Sequence, residues 1–311
     1  MFLFHWNAAD DSDIQPPPFD VSRTWAVIIG INYTGDTHLI SAANDARFFC
    51  HHLEQRGVRN DHICLLVDDE KRDQLPTRDG ILNALHDLRD NDDIHPGDAI
   101  IIWYSGRGAS YHSNRFWKGA RGRIEALVPM DHREQPDISD RELNLFIADL
   151  AHSKGNNITL IFDCCFAAGT FRSDLAAHTT YRLAAHTTYR MRLQQNVDNN
   201  DLRRMLEAAE SYTRKNWQAG RALCHPSDWN ADQSSHVTIY ACAGNEGAYE
   251  DDTGGILANA FFRMLVDEDL TSLSYRQLVS LIGSLRTQQN PEVTGHSIDC
   301  LAFRIPQNAK L

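Results

Sequence analysis

Five short stretches of the chain are apolar almost without interruption: Trp25–Ile31 (WAVIIGI), His62–Val67 (HICLLV), Asp98–Tyr104 (DAIIIWY), Asn157–Asp163 (NITLIFD) and His236–Ala241 (HVTIYA). A strand that is apolar at successive positions must be covered on both faces, as in a parallel sheet packed between helices. The segments between them carry helical spacing. Ala42, Ala46, Phe49, Cys50 and Leu53 recur every three or four residues, and Gly57 closes that helix. Thr77 caps a helix with Ile81, Leu85 and Leu88 inside, and Ser139 with Glu142 forms a capping box ahead of Leu143, Phe146, Ile147 and Leu150. Further helices are predicted at about 254–266 and from Ser274 and Gln277 onward, and a last strand over Ser297–Arg304. Ile124–Pro129 (IEALVP) reads as a small extra strand or hairpin. Alternation of this kind predicts an α/β fold with a mostly parallel sheet and helices on both faces, and places chemistry beyond the carboxyl ends of the strands.

Composition excludes several function classes. Lys and Arg number 30 against 42 Asp and Glu, a formal net charge of -12, so no broad attraction to nucleic acid or anionic lipid is expected. No apolar run approaches the roughly 20 residues of a membrane span. The first residues lack a basic n-region and turn acidic by Asp10, so no secretory signal is expected. Seven cysteines without a CxxC pair read as thiols in a reducing compartment, the cytosol, and not as a disulfide framework or a zinc ribbon. Gly30 and Gly35 follow the first strand, but neither GxGxxG nor GK[ST] is present, so nucleotide binding has no support.

Residues 1–22 read as a tail stiffened by Pro16, Pro17 and Pro18. Residues 170–235 break the strand–helix alternation. They contain a tandem octamer, LAAHTTYR at 175–182 and again at 183–190, too short for a solenoid and read as a duplication in a surface loop. A basic helix from 201 to about 217 follows, and Arg182, Arg190, Arg192, Arg203 and Arg204 make the insert locally cationic.

Two strand ends run into small residues that allow a sharp turn: Tyr104-Ser105-Gly106-Arg107-Gly108 and Asp163-Cys164-Cys165-Phe166-Ala167-Ala168-Gly169. Together with Trp25–Ile31, Asn44-Asp45-Ala46, the segment from Tyr240 to Glu250 (YACAGNEGAYE) and Asn290-Pro291-Glu292, they make the chain resemble the caspase-family peptidases, and within them the fungal metacaspases, over about residues 23–305. The resemblance implies a caspase-like three-layer sandwich around a six-stranded, mostly parallel sheet. It implies a large-subunit-like part at 23–169, an inter-subunit linker at 170–235 and a small-subunit-like part at 236–305 of the same domain.

It also implies roles. Cys165 stands at the nucleophile position, the N–H groups of Cys165 and Gly108 at the oxyanion donors, and Asp45, Asp163 and Ser105 in an acidic pocket for a substrate Arg or Lys. As ordinary alternatives, Asp45 is a helix N-terminal acid and Asp163 a turn-forming one. The His position of the family is occupied by Arg107. A guanidinium has donors only and a pKa above about 12, so it cannot relay a proton between thiol and leaving amine. Phe166-Ala167-Ala168-Gly169 is a second departure, where the family has His-Ser-Gly after the nucleophile.

The expectation is an impaired or inactive cysteine endopeptidase, or a pseudo-peptidase that binds basic peptides or pairs with an active homologue. His112 and His132 are the candidate surrogates, surface-loop histidines being the plainer reading. Arg107 reaching a pocket carboxylate, and so filling the site from within, is a further expectation. Ca²⁺ is the one cofactor the family suggests, with Asp131, Asp140 and Asp174 as candidates and Arg141 weakening the set; surface acids at a helix start are the alternative. Asp68-Asp69-Glu70 and Asp251-Asp252 read as solvated faces.

Overall fold

The computed structural model describes residues 20–35, 38–68, 74–112, 123–165, 180–184, 187–192, 199–216, 234–243, 246–267, 273–284 and 289–303. Asp174, Cys224, the Phe166–Gly169 segment and the Pro16–Pro18 run lie outside them. Five of the strands of the main sheet are those read from the apolar runs: β1 (Thr24–Gly30), β2 (Ile63–Val67), β3 (Ala99–Ser105), β7 (Ile158–Asp163) and β10 (Val237–Tyr240). They pair in parallel, and the six-stranded order is β13-β10-β7-β3-β1-β2. The sixth strand corrects the sequence reading. It is β13 (Glu292–Thr294), antiparallel to β10, and Ser297–Cys300 is a turn whose Ile298 and Cys300 carbonyls accept the Arg276 and Tyr275 N–H groups at 2.9 and 3.2 Å, next to an isolated bridge between Ser274 and Leu301. Ser297-Ile298-Asp299 offers one apolar residue between two polar ones, too little to hold a strand against the core.

Period-two alternation sorts each strand between two cores. Trp25, Val27, Ile29, Ile100, Ile102, Tyr104, Leu160, Phe162 and Cys164 face one, where α2 (Arg78–Asp90), α3 (Asp140–Lys154) and α4 (Asn199–Asn216) pack. Ala26, Ile28, Ile101, Trp103, Ile161 and Cys165 face the other, with α1 (Ala42–Gln55), α5 (Ile256–Asp267) and α6 (Tyr275–Ser284). The three-layer arrangement follows from these two apolar surfaces. Trp103 stacks on Phe49 at 4.6 Å and on Phe262 at 5.8 Å, tying α1 and α5 to the sheet.

Helix ends follow the local signals in part. The Thr77 hydroxyl accepts the Gly80 N–H at 3.1 Å. Ser274 and Gln277 form a complete capping box, with bonds of 2.9 and 3.2 Å. At α3 only half of the box forms: Ser139 accepts the Glu142 N–H at 3.2 Å, but the Glu142 carboxylate is taken by the buried Arg78 guanidinium, at 2.6 and 2.7 Å. A bidentate charged pair outcompetes a neutral backbone cap. Gly57, at φ +98°, follows α1 in the left-handed region that a side chain would strain.

IEALVP lies in a hairpin: β4 (Gly108–His112), β5 (Arg123–Leu127) and β6 (Ile138–Ser139) form a three-stranded antiparallel sheet. Where the tandem octamer is described, over 180–184 and 187–190, it is strand and not loop. It contributes β8 (Thr180–Ala184) and β9 (Thr187–Met191), which join β11 (Tyr249–Asp251) and β12 (Gly254–Gly255) in a four-stranded sheet. Thr-Thr-Tyr has strand propensity, and pairing with β11 realises it.

Asp137, just before β6, is buried and accepts the Tyr111 hydroxyl at 2.7 Å. Burial pushes its pKa up to about 7, against the opposing pull of that hydrogen bond. The folded chain then holds a proton that the unfolded chain releases near 4. Between these values the folded state binds more protons, so stability falls as pH rises. Asp137→Asn should flatten this loss, by roughly 2–4 kcal/mol between pH 4 and 8. Urea unfolding across that range measures it, and parallel curves for the two chains would refute the assignment.

Candidate active site: an arginine in an acidic pocket

The carboxyl ends of β1, β3 and β7 lie side by side, with Gly30 opposite Ser105 and Ser105 opposite Asp163. Two buried tyrosines hold the loop that follows β3. Tyr104 donates to the Arg107 carbonyl at 2.7 Å, and the Arg107 N–H donates to the Tyr33 hydroxyl at 3.0 Å. A Cβ on Gly106 would meet the Tyr104 hydroxyl at 2.8 Å, so only glycine lets the turn close over the ring. Asp68 is not merely solvated: its carboxylate accepts the N–H groups of Asn32 and Tyr33, both at 2.8 Å, and sets the loop after β1.

Asp45, Asp163 and Ser105 come together in one buried pocket. Its cation is Arg192, not Arg107, which corrects the expectation that Arg107 fills it. Arg192 follows β9 and is fully buried. Its Nη2 lies 2.5 Å from Asp45 and 3.3 Å from Glu250, and its Nη1 lies 2.9 Å from the Asp163 carboxylate. Nη1 also donates to the Ser105 hydroxyl at 2.5 Å and the Asp163 carbonyl at 3.0 Å, and Nη2 to the Ser41 hydroxyl at 3.0 Å. Burial opposes the charge on Arg192, but Asp163, Asp45 and Glu250 outweigh it and hold its pKa above that of an ordinary arginine. Burial raises Asp45 despite Arg192, and pushes Asp163 up to about 7.

Glu250 is the pocket residue that sequence reading did not single out. It lies on β11, far along the chain, and also accepts the N–H of Ile40 at 2.7 Å and the Ser41 hydroxyl at 2.7 Å, bracing the entry to α1. It is followed by Asp251-Asp252, which look like solvent-facing acids. Asp251 is instead buried and turns its carboxylate onto the Thr253 N–H at 2.8 Å. Nothing local in the sequence separates Glu250 from its acidic neighbours.

The backbone of Arg192 is held as firmly as its side chain. Its carbonyl oxygen accepts the N–H groups of Gly108 and Cys165, each at 3.1 Å, and its own N–H donates to the Ala248 carbonyl at 2.9 Å. The preceding strand pairs with β11 in an antiparallel ladder. Segment 187–192 therefore lies in the cleft as an extended peptide, with guanidinium in the pocket and carbonyl in a two-donor cradle. The Cys165 thiol is buried beside it and donates to the Glu246 carbonyl at 3.6 Å.

Arg107 is buried at the edge of this arrangement. Its Nη1 donates to the Met191 carbonyl at 3.4 Å, and its Cζ lies 6.0 Å from the centre of the Tyr33 ring. Burial pulls its pKa down from the arginine value, with Tyr33 and Glu250 opposing. His132 is half-buried and packs edge-on against Tyr33, 6.0 Å between ring centres, instead of reaching Cys165. Burial lowers its pKa. The backbone of His112 ends β4, and its side chain lies outside the described residues.

The described residues alone do not compose a Ca²⁺ shell. Asp131 accepts the Arg78 N–H at 2.7 Å, at the start of α2. Asp140 lines a separate cavity of about 50 Å³ with Glu125 and Tyr240, and burial pushes its pKa up to about 6. Arg141 sets a positive charge next to it in the chain. No group of three His, Cys, Asp or Glu among the described residues is placed to hold a metal, whereas Ca²⁺ takes six to eight oxygens.

Residues 24–173 match the sequence profile described as metacaspase, peptidase C14 domain. Metacaspase-5 of Trypanosoma cruzi is 33% identical over 158 residues, which are 49% of this chain and 34% of that protein. Metacaspase-1 of Mycosarcoma maydis is 34% identical over 143 residues, 45% of this chain and 34% of that protein. Metacaspase-3 of Arabidopsis thaliana is 29% identical over 160 residues, 49% of this chain and 42% of that protein. The matched region thus spans well under half the length of these relatives. A crystal structure of a Geobacter sulfurreducens protein superposes with a TM-score of 0.62 at 15% identity, over 91% of this chain and 99% of that one, a likeness of fold. Over residues 24–173, just under half of its length, the chain is similar in sequence to the metacaspases of the caspase-family peptidases.

Proposed function

We propose that this chain is a metacaspase-type cysteine endopeptidase scaffold selective for Arg or Lys before the scissile bond, impaired in catalysis because Arg107 replaces the proton-relaying His. The observation that carries the proposal is the placement of Arg192, guanidinium among three carboxylates and carbonyl between the Gly108 and Cys165 N–H groups. A peptide substrate would present its reacting carbonyl in the same way, with Cys165 as the attacking thiol. The two N–H donors would then hold the oxyanion as charge moves onto it. The forked donors of Arg span carboxylates that a Lys ammonium would meet as a single point, so Arg should be preferred.

Arg107 supports attack poorly. It carries no acceptor for the thiol proton and returns none to the leaving amine, which lowers the rate by about 10²–10⁴-fold. Its contact with the Met191 carbonyl favours a second reading: a cleft that retains an arginine-bearing strand without cutting it, a pseudo-peptidase binding its own linker or a basic peptide. Arg107 there acts as a peptide-binding donor.

Arg107→His separates the two. On the first reading it raises hydrolysis of an Arg-bearing fluorogenic peptide by about 10²–10⁴-fold. It also cuts the chain between Arg192 and Leu193, seen as a new N-terminal sequence, and Cys165→Ala abolishes both. Without Arg107→His the purified chain stays one band. An Arg107→His, Arg192→Ala chain that is folded yet inert leaves the second reading standing and removes the first.

Arg192→Ala should expose how far the fold leans on this ion pair. It strands buried carboxylates without their cation, a change that costs about 3–5 kcal/mol in comparable sites. Hydrogen exchange at the Gly108 and Cys165 amides should quicken, with β1 and β3 unchanged. Unaltered exchange at both amides would show that the strand is held by something other than its arginine.

A further inference from the structure

Cys165 is not the only thiol at the strand ends. β10 runs parallel to β7 with Tyr240 opposite Phe162, and the ladder continues one step further through the Ala241 N–H to the Phe162 carbonyl, at 3.0 Å. Cys242 therefore emerges beside the Cys164-Cys165 turn. The strand ends at Tyr240, and the turn after it, not strand alternation, decides which of the pair Cys242 meets. Cys164 faces the core built on α2 and α3, while Cys165 and Cys242 share the opposite core. Both of these thiols donate to one acceptor, the Glu246 carbonyl, Cys165 at 3.6 Å and Cys242 at 3.5 Å. Neighbouring strands lie about 4.8 Å apart, within the range of backbone separations a disulfide spans.

We propose that Cys165 and Cys242 form a peroxide-oxidisable dithiol, whose disulfide blocks the nucleophile position. Hydrogen peroxide transfers one oxygen to the Cys165 sulfur, giving a sulfenic acid and one water. The Cys242 sulfur then attacks the Cys165 sulfur and the S–O bond breaks. The hydroxide released takes the Cys242 proton and leaves as a second water. Two electrons pass from the two thiols to the peroxide, and reduction by an external thiol reverses the reaction. The order of roles follows from the environment. Cys242 is held protonated by its hydrogen bond to Cys165 and by burial, which suits the partner that closes the disulfide over the one first oxidised. Cys164 is buried on the other face, and burial keeps its thiol protonated as well.

The test reads mass instead of turnover, so it stands or falls separately from the peptidase reading. The full chain is treated with hydrogen peroxide, alkylated, and analysed intact and after digestion. The expected result is a loss of about 2 Da for one disulfide, a crosslinked peptide joining Cys165 to Cys242, and recovery of both thiols with dithiothreitol. Cys242→Ser should leave Cys165 to oxidise onward to the sulfinic acid, a gain of about 32 Da. No loss of mass in the wild-type chain, a bridge from Cys165 to Cys164, or the same loss in a folded Cys242→Ser chain would each overturn the proposal.

Discussion

One guanidinium compensates three carboxylates that reach it from distant parts of the chain: Asp45 from α1, Asp163 from β7 and Glu250 from β11. Each is nearly or wholly buried, and each alone would be costly to keep charged without a cation. The tie is therefore an organising constraint. It fixes the first helix against the central sheet, and it seats β9, and with it the β8–β9 hairpin, on β11. The same arginine presents its carbonyl to Gly108 and Cys165, so the electrostatics of the pocket and the geometry of the cradle are set by one residue.

Among the described residues, the backbone around Cys165 is crowded with donors. Gly108 N–H, Cys165 N–H and Arg107 Nη1 all point at backbone carbonyls of segment 191–192. Such a surface stabilises a bound peptide and any negative charge that grows on its carbonyl. It does not by itself deprotonate a thiol. In this fold the pocket and the cradle form around Arg192 without an imidazole among the described residues that bond to it.

Much of the sheet is legible from the chain alone because its five parallel strands are continuously apolar, a pattern only a doubly covered sheet accommodates. The sixth is not, because β13 has just three residues, Glu292–Thr294, two of them polar, and gains its order from β10. The octamer repeat looks like loop for a related reason: Thr-Thr-Tyr-Arg is no stronger as a strand than many loops until β11 provides a partner. Asp45, Ser105, Asp163, Gly108 and Cys165 were visible because they sit in short motifs at strand and helix ends. Glu250 and Arg192 are not assignable to the pocket from sequence, since one stands in an acidic run and the other among eight arginines of residues 170–235.

The amino-acid sequence by itself determined the layering of the molecule, the strand ends where a site can form, the sulfur at Cys165 and the guanidinium at Arg107, because those are properties of local pattern and residue chemistry. Which of many arginines enters the acidic pocket, which acid completes it, and which cysteine faces Cys165 were decided only by tertiary structure. Each depends on the register between segments far apart in the chain, and a register is settled when both partners are folded against the same core.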